Sequence, residues 1–187
     1  MDDNSPGYIA DYLVRKSIPF KIVRAYAGDM VPSCNESIDG LVFMGGIMSV
    51  NDGLPWIKEE ISLIKEALDK EIPVLGHCLG GQLISKALDQ DVSLNPVNEV
   101  GWHNCSCTAE AKTSSLAAQW LGDTGDPFIM FHWHSETFSL PAGAHQLFSS
   151  EFCDNQAYVF NNNVSVSYTH LRAHETDSYL VCRLLLE

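Results

Sequence analysis

The chain has 187 residues, 45% of them hydrophobic, which suits one globular domain with a sizeable core and excludes a disordered chain. A formal net charge of −13 opposes nucleic acids and anionic membranes as partners. No apolar run approaches the roughly 20 residues of a membrane span, and the start MDDNSPGYIADYL lacks the basic and apolar regions of a signal peptide. The six cysteines are irregularly spaced and no secretory signal accompanies them. They read as reduced thiols in a cytoplasmic protein.

In chain order, Ser5 is a candidate N-cap and Pro6 a first helical residue, with Ile9, Tyr12 and Leu13 forming one apolar face. IPFKIVRAY (18–26) predicts a strand and GLVFMGG (40–46) a buried one. A helix follows from Pro55, where Ile57, Ile61, Ile64 and Leu68 recur at helical spacing until Pro73 stops it. PVLG reads as a short buried strand, and Leu79 to Leu88 as the next helix. VGWHNCSCTAE, FIMFHWH, HQLFSS and AYVFNNNVSVSY are more β-rich. Alternating strands and helices imply a parallel sheet covered on both faces. A doubly wound domain opens on a strand and this chain opens on a helix, so a first strand is expected to be missing before Asp2.

VLGHCLGGQLISKAL (74–88) puts Cys78 on a sharp strand-to-helix turn. Such a turn exposes the sulfur. The helix N-terminus favours thiolate, and its free N–H groups can hold an oxyanion. Gly76, Gly80 and Gly81 suit the crowded backbone of an elbow. His132 and His134 share one strand face, a spacing that suits a metal pair, but no third ligand is evident. Cys105 and Cys107 near His103 read as strand packing.

GHCLGGQ resembles the G-x-C-x-G-x-Q elbow of class I glutamine amidotransferases. LVFMGGIMSVND, NPVNEVGW and FHWHSETFSLP resemble three further family segments in the right order. The similarity covers roughly residues 3–165 and is nearest to stand-alone domains similar to the glutaminase part of GMP synthase. It implies an α/β, flavodoxin-like three-layer αβα fold: a parallel sheet with a small antiparallel addition. It also implies that Cys78 attacks the glutamine side-chain amide to give a thioester and ammonia. The N–H groups of Gly46 and Leu79 would form the oxyanion hole, and Gly45, Gln82, Ser135 and Glu136 would line the substrate pocket. The family uses no metal here, so no metal or cofactor is expected. The implied partners are glutamine or a γ-glutamyl substrate and a separate ammonia-accepting synthase. Two alternatives stand beside this reading: a γ-glutamyl hydrolase or peptidase of the same fold, and a catalytically inactive binding domain or fragment.

The family pattern F-H-x-E supplies a base and its orienting carboxylate. His170 falls at the base register, but Arg172 stands where the carboxylate belongs, and Glu175 has the wrong spacing for the same face. Low turnover is therefore expected of the chain as written. SYTHLRAHETDSYLVCRLLLE resembles translated cloning-adapter sequence. The expected organisation is a domain over 1–165 and a non-native tail over 166–187.

Overall fold

A computed structural model describes residues 6–34, 37–121 and 126–168. Helix α1 (Tyr8–Arg15) starts later than the sequence suggests: Gly7, at φ 56°, is its N-cap, Pro6 precedes it, and Ser5 lies outside the described residues. Tyr12 and Leu13 are its buried face. Residues 18–24 form no strand, and Ala25–Ala27 make one 3-10 turn. A strand needs a neighbour for its ladder. The next strand, β1 (Leu41–Phe43), pairs with β2 (Val74–His77), and no described strand flanks its other edge. Phe20 and Ile22 accordingly stay exposed. In β1 only Phe43 is buried, so the strand is less enclosed than its sequence suggests.

Helix α2 (Pro55–Asp69) has Pro55 in its first turn. It buries Ile57, Leu63, Ile64 and Ala67, while Ile61 and Leu68 pack at the margin. Helix α3 (Leu79–Ala87) follows β2 directly. The rest comprises β3 (Val92–Cys107), α4 (Ala109–Thr113), α5 (Ser115–Leu121), β4 (Phe128–Phe138), β5 (His145–Ser150), β6 (Ala157–Phe160) and β7 (Val164–Ser167). The seven strands make one sheet in the order β1-β2-β7-β6-β5-β3-β4. β1, β2 and β7 are parallel neighbours, with Leu41 opposite Val74 and Val74 opposite Val164. The remaining four pairings are antiparallel.

Alternation along the strands divides the core between two faces. Val74, Tyr158, Val164 and Val166 pack with Ile57, Ile64, Leu83 and Ile84 of α2 and α3. Leu75, Ala157 and Val159 pack with Ala111, Ala117 and Trp120 of α4 and α5. Burying one such aliphatic side chain contributes about 1.5–3 kcal/mol. Val166 in β7 and Tyr168 just after it belong to the core. No helix among the described residues is long and apolar enough to cross a membrane.

Candidate active site

Cys78 is the N-cap of α3 and sits at φ 53°, ψ −113°. A non-glycine residue there carries strain of about 1–3 kcal/mol, which its surroundings must offset. Three main-chain bonds hold it. Cys78 N–H donates to Ser167 O at 2.9 Å, Gln82 N–H donates to Cys78 O at 3.1 Å, and Gly80 N–H donates to Met44 O at 3.1 Å. The elbow is therefore tied to β7 and to the loop after β1. Side chains would not fit around it. A Cβ on Gly76 would lie 2.5 Å from Ile84 Cδ1, one on Gly81 2.6 Å from Val166 Cγ1, and one on Gly80 would run into the Phe43 carbonyl.

The backbone N–H groups of Leu79 and Gly46 both act to lower the pKa of the Cys78 thiol. Gly45 is adjacent: a Cβ there would sit 3.2 Å from Cys78 Cβ. The expected preference for thiolate is corrected. Burial pushes the Cys78 thiol above its ordinary value, and the Glu136 carboxylate adds to the rise. The two N–H donors oppose this without reversing it. A thiol in that state needs a base before it can attack.

Glu136 is half-buried and accepts a hydrogen bond from Ser49 Oγ at 2.7 Å, which ties the end of β4 to the loop carrying Gly45 and Gly46. Ser135 beside it is exposed. Gln82 is only 4% exposed, lies against the Tyr168 hydroxyl, and has no partner for its carbonyl oxygen among the described residues. The structure thus gathers Gly45, Gly46, Leu79, Gln82 and Glu136 around Cys78. His170, Arg172 and Glu175 lie outside the described residues.

Sequence reasoning missed a buried cluster next to this site. Glu99, His132 and His134 each bring a ligand atom within 4.8 Å of the others, so Glu99 is a third group beside the histidine pair, distant from it in the sequence. Its surroundings are those of a hydrogen-bonded carboxylate. Glu99 Oε1 accepts from Ser150 Oγ at 2.6 Å, and Oε2 accepts from the Gln156 amide nitrogen and lies 3.0 Å from His134 Nε2. Cys105 packs there, with its sulfur 3.4 Å from His132 Nε2. Cys107, the other strand cysteine, is half-buried at the end of β3.

A profile of the family described as glutamine amidotransferase class-I matches residues 5–168. The chain belongs to this family. The glutamine amidotransferase-like protein YfeJ of Salmonella typhimurium is 31% identical over 153 residues, covering 79% of the chain and 62% of YfeJ. One component of the glutamine-hydrolyzing GMP synthase of Methanococcus maripaludis is 38% identical over 76 residues, covering 41% of the chain and 36% of that component. The crystal structure of a glutamine amidotransferase from Methylobacillus flagellatus superposes with a TM-score of 0.83 at 40% identity, over 91% of the chain and 67% of its own. The chain therefore spans less than two thirds of these curated relatives.

Proposed function

We propose that the chain hydrolyses the side-chain amide of glutamine through a Cys78 thioester. His170 takes the thiol proton as the sulfur attacks the amide carbon. The N–H groups of Gly46 and Leu79 stabilise the oxyanion that forms. His170 then returns the proton to the departing nitrogen, ammonia leaves, and a glutamyl thioester remains. Water, deprotonated by the same imidazole, attacks the thioester and releases glutamate and the thiol. Gln82, Gly45 and the Ser135–Glu136 segment hold the amino-acid end of the substrate. The ammonia passes to a separate synthase, as befits a domain similar to one component of a GMP synthase. Free thiols at Cys34, Cys78, Cys105, Cys107 and Cys153 fit a cytoplasmic setting.

What supports this reading best is the packing of the Gly45–Gly46 loop against the Cys78 elbow, where the backbone N–H groups of Leu79 and Gly46 both pull the thiol pKa down. The raised thiol makes the base indispensable, and Arg172, two residues past His170, opposes a charged imidazole. Turnover of the chain is therefore expected to be slow, and Arg172→Glu to raise it. The test is ammonia release from free glutamine against γ-glutamyl peptides. The reading predicts preference for glutamine and loss of release in Cys78→Ser. Release that survives Cys78→Ser contradicts it.

A further inference from the structure

We propose that Glu99, His132 and His134 form a binding site for a divalent transition metal of the zinc class, which ties β3 to β4. The family resemblance carried no expectation of a metal, and the inference does not depend on the reaction of Cys78. The three side chains come from paired strands. Glu99 stands opposite His134, and Gly101 opposite His132, immediately after an irregularity between Leu94 and Glu99. All three ligands are buried, Glu99 and His132 completely. Each offers one ligand atom, and these atoms lie within 4.8 Å of one another. Glu99 Oε2 is 3.0 Å from His134 Nε2 and 3.9 Å from His132 Nδ1. Ligand atoms about 2.0–2.1 Å from a tetrahedral zinc ion stand roughly 3.3 Å apart. Small side-chain shifts therefore close the three around an ion.

A second observation points to a ligand independently of that spacing. His132 Nδ1 is buried and has no hydrogen-bond partner among the described residues. Its 3.9 Å separation from Glu99 Oε2 is too long for a hydrogen bond. Leaving a buried polar atom unpaired is costly, and an ion between Nδ1 and the carboxylate removes that cost. His103, edge-on to His132, likewise has an Nε2 without a partner among the described residues. Two imidazoles and one carboxylate suit zinc and leave a fourth position for water.

The groups around the three ligands are those that orient ligands in metal sites, where each ligating imidazole is held by its other nitrogen and each carboxylate is hydrogen-bonded. His134 Nδ1 lies 3.1 Å from the Glu136 carbonyl oxygen, which only accepts, so Nε2 is the nitrogen turned to the ion. The Gln156 amide nitrogen lies 3.4 Å from that Nε2 and also donates to Glu99 Oε2. On metal binding it keeps its bond to the carboxylate and gives up the ring nitrogen. Ser150 Oγ donates to Glu99 Oε1 at 2.6 Å. The Cys105 sulfur lies 3.4 Å from His132 Nε2, the nitrogen turned away from Glu99, and so stays outside the ligand shell. With every ligand side chain enclosed, the site is structural: the ion binds the folded chain and stabilises it.

The test uses the 187-residue chain, stripped with a chelator and then dialysed against micromolar zinc chloride. The wild type is expected to retain one zinc ion per chain, Cys78→Ser to retain the same, and His132→Gln to retain none. At zinc about a hundredfold above its Kd the wild-type Tm should rise by roughly 5 °C or more, while that of His132→Gln stays put. X-ray absorption of the zinc-loaded wild type should show nitrogen and oxygen neighbours, imidazole scattering and no sulfur. A wild type that retains no zinc overturns the proposal, as does a folded His132→Gln that retains as much as the wild type. Sulfur in the ligand shell overturns it even if the variant fails to fold, since the ion would then sit on cysteines.

Discussion

Gly45 packs against Cys78: a Cβ on it would lie 3.2 Å from Cys78 Cβ and 3.7 Å from the sulfur. That contact brings the loop after β1 onto the strand-to-helix elbow, beside Leu79. Since Gly46 and Cys78 come from separate βα connections of a parallel sheet, the sheet itself sets the geometry of the pocket.

Gly46→Ala tests that geometry. The new methyl would sit 3.0 Å from Leu79 Cδ2, so the loop or the leucine side chain must shift beside the proposed oxyanion site. Losing one oxyanion donor costs about 10²–10³ in turnover. Ammonia release in an Arg172→Glu background should fall by roughly 10² with the circular dichroism spectrum unchanged. Full turnover would make Gly46 only a turn residue.

Gly80→Ala tests the packing of the elbow. Its methyl meets the Phe43 carbonyl, a backbone atom that cannot swing aside. Overpacking of this kind costs about 1–3 kcal/mol or more. A chain of this size loses roughly 2–4 °C of Tm per kcal/mol. Thermal unfolding should show a clear drop, and an unchanged Tm would mean that α3 is free to move off β1.

Glu60 on α2 gives a pH dependence. Burial raises its carboxyl from 4.5 to about 7. The folded state thus holds the proton more tightly than the unfolded chain does. The stability from this group is full below about 4.5 and is lost as pH rises through about 7. Glu60→Gln cannot ionise, so it should be more stable than wild type above pH 7 and similar to it at low pH. Urea unfolding across that range checks the sign, and a variant destabilised only at high pH would reverse it.

The sequence was most legible where local rules and tertiary demands agreed. Helix α2 has Pro55 in its first turn and isoleucines at helical spacing, and both survive in the fold. The elbow was readable because Gly76, Gly80 and Gly81 leave room for close approach that no local rule could otherwise explain. The strand expected over 18–26 failed because a strand depends on its neighbour, and no described strand flanks the outer edge of β1. The state of the Cys78 thiol was misread because the helix terminus is visible in sequence and burial is not. Glu99 was invisible for a similar reason: His134, Ser150 and Gln156 come from three other strands or loops and meet it only in the folded sheet. Glu99 does lie in NPVNEVGW, one of the segments that carry the family resemblance.

The central claim is that Cys78 is the nucleophile toward glutamine. Among the described thiols only Cys78 and Cys107 are partly exposed, whereas Cys34, Cys105 and Cys153 are buried. The most direct measurement is peptide mass spectrometry after brief exposure to a glutamine chloroketone, with and without excess glutamine. The account predicts alkylation at Cys78 ahead of Cys107, slowed by glutamine. Alkylation at Cys107 first, or a Cys78 rate that glutamine does not change, would contradict it.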